Sequence, residues 1–539
     1  MNQLPIDFFC PLLLYAETHF RFFKRFPSLL YQNAPEILFD CPRRLEPGKD
    51  LPITLIINDL NNLSIKIDEV DIAVNKPGSP IKLFNILNIQ KHEIPHPFSN
   101  IQKTYLFYLD HKSLPDDHIS INCKITISIN GHKKEILNDN FHTSSKAPLT
   151  CFVSTEHLPG KQFCLSGDMH FHSQYSQSHV EFGPPLQIVD HMANASGLNF
   201  VTITDHSYDL ACKMDNYLLE DPTLQRWNSF QRQIQTTKYS TLLLPGEEIS
   251  CLNDTNNVVH LCGIGISEYI PGSMDGARKR KLFSQQLTVK QAVTQINEQG
   301  GLAYAAHPGS RKSLLQLFFL NRGAWSQKDI CNNNLNGIQA YNGSFKQAWE
   351  RGKQLWIHAL MQGGKITFLA GNDAHGDFNR YRAIKVPFLS IFENFNRFMG
   401  NGKTGVYCNS RTQQDVIEAI RCGKTFVSTG PYLSICYSID PGSIAISNSE
   451  ILNCNLFFVN AISTNEFGTI TTIALLGYIK GASNETLLFS KTYNDHTLEI
   501  QEQFNLESTG ELLYIRAETK SRKEDSSICE AYTSPCYFH

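Results

Sequence analysis

The sequence has no excess of charge of either sign: 48 Lys and Arg against 51 Asp and Glu leave a formal charge of −3 over 539 residues. That balance removes the electrostatic grounds for nucleic acid or an anionic membrane surface as a partner. Cys-x-x-Cys pairs are also missing, although there are 15 cysteines spread from Cys10 to Cys536. An odd, scattered set is neither a disulfide framework nor a zinc knuckle, and it fits reduced thiols in a cytoplasmic protein. Long hydrophobic runs are absent too. The opening stretch "MNQLPIDFFCPLLLYAETHF" has an apolar run of only a few residues, no basic leader, and an early break at Glu17 and His19. It therefore reads as neither a signal peptide nor a membrane span, but as an aromatic-rich tail (1–35) that packs on a neighbouring domain. No tandem repeat or low-complexity tract is evident.

What remains is an ordinary globular composition, 41% hydrophobic and 18% charged, in a chain too long for one hydrophobic core. Residues 36–150 hold short alternating runs such as "LPITLIIND" and "HISINCKITISI" between turn residues, with Asn130-Gly131 as the best hairpin signal, which predicts a β-sandwich domain. From about 160 to 430 apolar strand-like runs alternate with amphipathic helical segments. In "LTVKQAVTQINEQGG" Val289, Ala292, Val293 and Ile296 share one face and two glycines stop the helix. This alternation predicts an α/β domain with its functional residues at the strand ends. From 431 to 539 the strand-like runs return, as a C-terminal β-domain.

The strand ends of the central zone carry the chemistry. In "GDMHFHSQYS" His170 and His172 lie two apart, so a strand turns both imidazoles to one face. Further along come Asp205-His206, Glu247-Glu248, His260, His307, and then Asp373 and His375, each after an apolar stretch. Each alone has an ordinary explanation, as an N-cap, a surface charge, a core histidine or a turn residue. Their recurrence at successive strand ends points to one site. Neutral imidazoles with a few carboxylates suit Zn, Mn or Fe, and a carboxylate among histidines bridges two ions, so a centre of two or three divalent metal ions is expected. Such a centre holds a hydroxide at neutral pH and favours hydrolysis.

These motifs, "GDMHFH", "VTITDH", "PGEEIS" with "VVHLCGIG", "AYAAHP" and "AGNDAH", together resemble the PHP (polymerase and histidinol phosphatase) metallohydrolases, in the family's order over about 220 residues. The segment "VIEAIRCGKTFVSTGP" with the terminal "AYTSPCYF" resembles the carbaryl-hydrolase-like (CehA/McbA) branch. The resemblance implies an α/β fold: a distorted seven-stranded, TIM-like β/α barrel flanked by N-terminal and C-terminal β-sandwich-like domains. It places His170, His172, Glu248 and Asp373 on a first metal, Glu248, His260 and His307 on a second, and His206 and His375 on a third, with Glu248 preferred to Glu247 by the "PGEEIS" pattern. Trinuclear members carry an Asp or His five or six residues after the H-x-H pair. Here Gln177 and Ser178 stand there, with His179 one place later, so either His179 completes the third site through a local shift or that site stays empty and an unmetallated His206 protonates the leaving group, with Asp205 beside it as a second catalytic candidate.

For the substrate, Arg380 and Arg382 follow the last motif in "HGDFNRYR" and suit a small anion; Arg311 and Tyr208 are weaker candidates, and "DGARKRK" reads as a solvated loop. The leading expectation is a phosphoesterase that cleaves a small phosphate ester through a metal-bridging hydroxide. The alternatives are a carbamate or carboxylic ester hydrolase at the same site, and a metal-binding adaptor without catalysis. An exonuclease would need a basic groove, which this composition does not support.

Overall fold

The computed structural model describes residues 4–5 and 35–538, except 59, 61–64, 130, 141–146, 177–182, 273–286, 311–316, 318–320, 344–345, 377, 380–382, 387–388, 393–396, 409, 441–442, 447–449, 452–455, 495 and 507–511. The tail that was expected to pack on a neighbour thus lies outside the described residues, apart from residues 4–5, whose backbone pairs in parallel with 391–392.

In the N-terminal region the alternating runs become strands. Asp117–Ile129 buries Ile119, Ile121, Cys123, Ile125 and Ile127, every second residue, as a half-buried strand must. It pairs with His132–Leu137 in a register of Ile129 with His132, which leaves two residues for the turn; Gly131 takes φ 81° and Asn130 lies outside the described residues. A three-stranded sheet (Glu36–Asp40, Leu51–Asn58, Lys103–Leu109) shares one apolar core with the sheet that contains Asp117–Ile129 and Ile65–Asn75.

The central strands are β1 (Leu165–His172), β2 (Phe200–Ile203), β3 (Leu242–Leu252), β4 (Val258–Ile264), β5 (Leu302–Ala305), β6 (Gly337–Tyr341), β7 (Thr367–Ala370), β8 (Lys403–Val406) and β9 (Thr425–Ser428). Helix Val289–Glu298 lies between β4 and β5. Thr288 caps it, with Gln291 completing a capping box, and it buries Val289, Ala292, Val293 and Ile296 as its periodicity requires.

The expected helix-wrapped β/α barrel is overturned. Among the described residues strand dominates over helix, and the central strands belong to a large mixed sheet ordered β7-β6-β5-β4-β3-β2-β1-β8-β9. That sheet continues through Ile528–Thr533 and Leu512–Arg522 to Thr469–Ile479 and Thr486–Thr492, and the two-residue strand Ala374–His375, which follows β7, pairs in parallel with Phe171–His172 of β1. The physical reason is the direction of the strands. The runs β1–β2–β3 and β5–β6–β7 are parallel, which requires crossover connections. The pairs β3–β4, β4–β5, β1–β8 and β8–β9 are antiparallel and need none. Strand β9 pairs with Ile528–Thr533, so a ladder joins the C-terminal region to the central sheet. Tyr432–Asp440, Leu456–Ile462 and Glu499–Asn505 form a further sheet over an apolar core shared with Thr469–Ile479 and Leu512–Arg522. No described helix is long and apolar enough to cross a membrane.

Candidate metal centre

Strand β1 ends by sending His170 and His172 to one face, both wholly buried, while Phe171 between them faces the core and stacks on Phe378. The β1–β2 register shifts between Asp168 and Phe171, an irregularity of the kind that re-aims side chains at strand ends. Residues Ala374–His375 pair in parallel with Phe171–His172, which lays the ring of His375 flat on that of His172, with centroids 3.9 Å apart and planes 7° apart. Beyond β2, a bridge aligns His206 with Glu248 of β3. His307, after β5, and Asp373, after β7, take left-handed backbone angles, φ 34° and 53°; such costly conformations concentrate at functional sites. The backbone N–H of Asp373 donates to the carbonyl of His170 at 2.9 Å.

Glu248 is the hub. Its Oε1 lies 2.6 Å from His260 Nδ1, 3.0 Å from His307 Nε2 and 3.6 Å from His170 Nε2; its Oε2 lies 3.1 Å from His206 Nδ1 and 3.6 Å from His172 Nε2. Asp373 Oδ1 stands 3.4 Å from His170 Nε2 and 3.3 Å from His172 Nε2. Two groups of donors result, each with ligand atoms within 4.8 Å of one another: His170, Glu248, His307 and Asp373, and His172, His206 and His375. The ring nitrogens face each other, Nε2 of His170 at 3.1 Å from Nε2 of His172 and Nε2 of His375 at 3.3 Å from Nε2 of His206. Such pairs cannot both carry protons, and Glu248 Oε2 and His206 Nδ1 are buried without a hydrogen bond. Lone pairs that converge in a water-poor place are what divalent ions require, so the residues fit the expected metals.

The electrostatics agree. Burial opposes ionisation of Glu248, but His260 and His170 outweigh it and hold the carboxyl well below its ordinary range. Burial likewise opposes ionisation of Asp373, and His170 and Arg397 overcome it. Burial lowers His172 well below the usual histidine value, helped by His375 and His206, and pushes His375 down to about 4. Burial also disfavours the charged form of His170, yet Cys262, Glu248 and Asp373 outweigh it and raise that imidazole.

His172 stands between the two groups: it stacks on His375, and its Nε2 lies 3.1 Å from His170 Nε2 and 3.3 Å from Asp373 Oδ1. His260 Nε2 contacts Nη1 of the buried Arg322, and its Nδ1 faces Glu248 Oε1 at 2.6 Å. His206, for which a free acid was one of two expected roles, sits within a donor group. Asp205 is a scaffold residue. Its Oδ1 accepts from the N–H of Ser173 (2.7 Å) and Ser176 (3.0 Å), its Oδ2 from the Ser173 hydroxyl (2.6 Å), and burial pushes it up to about 6. Tyr208 stacks on His206 with centroids 4.9 Å apart. His179, Arg311, Arg380, Arg382 and residues 275–281 lie outside the described residues.

Several supporting residues escaped the sequence analysis. Gln339 Oε1 meets His170 Nδ1 at 2.7 Å, Gln339 Nε2 donates to Asn342 Oδ1 at 2.7 Å, and Asn342 Nδ2 donates to Asp373 Oδ2 at 3.2 Å, a chain that orients two ligands. A glutamine inside the apolar run "GIQAY" was the available signal. Ser176 Oγ touches His172 Nδ1 at 3.0 Å and accepts the His206 N–H at 3.1 Å. Arg397 Nη1 lies 3.3 Å from Asp373 Oδ2 and remains 25% exposed, at the lip of the centre. A small pocket lined by His307, Pro308, Ser310 and Trp325 adjoins His260.

No protein-family model matches this chain, and no curated protein does. Among solved structures, Bacteroides uniformis β-glucuronidase 2 bound to cyclophellitol-6-carboxylate aziridine aligns at 10% identity and a TM-score of 0.19, over 94% of this chain and 61% of that one, under two thirds of its length. A Paenibacillus sp. cycloisomaltooligosaccharide glucanotransferase aligns at 10% identity and a TM-score of 0.16, over 93% and 71%. At such TM-scores neither likeness carries an argument about this chain.

Proposed function

We propose that this chain is a metal-dependent hydrolase with the ligand set of the PHP metallohydrolases, acting on a small phosphate ester. The observation that supports it is the convergence of His170, His172, His206, His307 and His375 on the buried carboxylates of Glu248 and Asp373. The reading rests on those side chains and not on a barrel. Divalent ions, when bound, supply a water acidified toward neutral pH and charge to offset the developing negative oxygens. His170, Glu248, His307 and Asp373 would hold one ion, and His172, His206 and His375 another. Gln339 and Ser176 fix the ring orientations of His170 and His172, and Arg322 positions the ring of His260 beside Glu248. At the lip, the partly exposed guanidinium of Arg397 favours an anionic group on the substrate. A cytoplasmic setting belongs to the same proposal, supported by the odd, scattered set of 15 cysteines in the sequence.

The test is metal analysis of protein purified without chelator, followed by panels of phosphate monoesters and of aryl carbamates and carboxylic esters. Phosphate-ester turnover that is lost on chelation and restored by Zn or Mn is the expected result. Turnover confined to the carbonyl esters would replace the phosphoesterase with the carbamate or carboxylic ester hydrolase. Protein that takes up no metal would make it a binding protein.

A further inference from the structure

A cleft of about 730 Å³ opens where the N-terminal sandwich, the central sheet and the C-terminal strands meet, within the size range of small-molecule sites. None of the metal-centre residues lines it. Its walls include Phe398 and Lys403 from the central region, Arg43 from the sandwich, and Phe467 and Lys523 from the C-terminal region. Lys403 is only 7% exposed, and its ammonium donates to the carbonyl of Gly400 at 3.2 Å. Its Nζ stands 5.1 Å from the centroid of the Phe467 ring, and Nζ of Lys523 stands 5.4 Å from the same centroid. Among the described residues neither lysine forms an ion pair. The guanidinium of Arg43 lies 4.1 Å over the ring of Phe398.

The acids along the cleft make no ion-pair contact with the lysines, although the charge of Glu466 partly favours the Lys403 ammonium. Glu466 Oε2 is taken by Nε of Arg44 at 2.8 Å, and Asp117 lies 3.7 Å from Lys76. Glu524 and Asp525 are exposed. Two ammonium groups over one aromatic ring, one of them buried without a carboxylate in contact, are costly unless an anion joins them. Burial pushes Lys403 down to about 8, the mark of that cost.

We propose that this cleft binds a small organic anion, with its charged group between Lys403 and Lys523 and its apolar body against Phe467 and Phe398. The site is separate from the metal centre and does not depend on the hydrolase reading. The experiment is isothermal titration of the metal-loaded protein with benzoate, phenylphosphonate and, as a neutral control, benzamide. At least one of the two anions should bind one site per chain and benzamide should not. Affinity should fall by about tenfold or more in Lys403→Met and in Lys523→Met, as expected for loss of a charged hydrogen-bonding partner, and stay unchanged in His170→Ala/His172→Ala. Should Lys403→Met fail to fold, Lys523→Met, whose side chain is half-buried at the cleft wall, decides alone. Absence of binding by both anions, full affinity in the lysine variants, or equal binding of benzamide would overturn the site. Loss of binding in the histidine variant would place the anion on the metals instead, and hydrolysis assays on the same samples report separately on that centre.

Discussion

Glu247 and Glu248, neighbours on one strand, face opposite surroundings. Glu248 stands among five imidazoles and is held ionised, whereas Glu247 Oε1 accepts the N–H of Ile270 at 2.7 Å and burial pushes its carboxyl up to about 8. The period of two along a strand separates them. Glu248→Gln should therefore cost the protein most of its bound metal and lower turnover by about a thousandfold or more, since the carboxylate is shared by most of the ligands. Glu247→Gln should keep its metal. Metal content per chain by mass spectrometry checks both, and equal loss in the two variants would refute the assignment.

Asp205 acts on the centre through the 173–176 turn. Asp205→Ala leaves the N–H groups of Ser173 and Ser176 and one hydroxyl without their acceptor, and Ser176 touches both His172 and the backbone of His206. Metal affinity should weaken by about 10–100-fold, the usual effect of losing a residue that supports a ligand. Chelator competition measures this, and an unchanged affinity would remove the turn from the account.

Gly371 has no room for a side chain. A Cβ there would lie 2.6 Å from the backbone nitrogen of His170 and 2.7 Å from its Cβ. Gly371→Ala should destabilise the fold by about 1–3 kcal/mol through overpacking and displace His170 from the donor group. Denaturation midpoints and metal content should fall together.

Arg397 has the exposure and position for contact with substrate. Arg397→Met should raise KM for an anionic substrate by about tenfold, as loss of a charge-assisted hydrogen bond does, with a smaller effect on a neutral ester. A kcat loss with unchanged KM would mean that the guanidinium acts only through Asp373, 3.3 Å away.

Lys403 gives a pH dependence. Burial lowers its ammonium from 10.5 to about 8, so between those values the unfolded chain binds more protons than the native one and stability rises with pH. Below that window both states are charged and the cost of the buried ammonium is fully present. Lys403→Met should be more stable than the wild type near neutral pH and lose that advantage toward about pH 10. Urea midpoints across the range decide, and a constant difference would count against a buried charge.

Strand and helix periodicity in the sequence determined much of this protein. The alternation in Asp117–Ile129, the apolar face of Val289–Glu298 and the two-residue spacing of His170 and His172 all follow from residues close in the chain, where geometry is fixed by 2.0- and 3.6-residue periods. His172, His206, His307 and Asp373 do stand at or just past the ends of β1, β2, β5 and β7, whereas Glu248 and His260 lie inside β3 and β4. Only the tertiary structure decided which of their ligand atoms lie near one another, that His260 leans on Arg322, that Asp205 braces a turn, and that the sheet is mixed in direction where a helix-wrapped β/α barrel was expected. Those outcomes depend on register between strands far apart in sequence, such as Phe171–His172 against Ala374–His375, and on strand direction, which a local pattern does not encode.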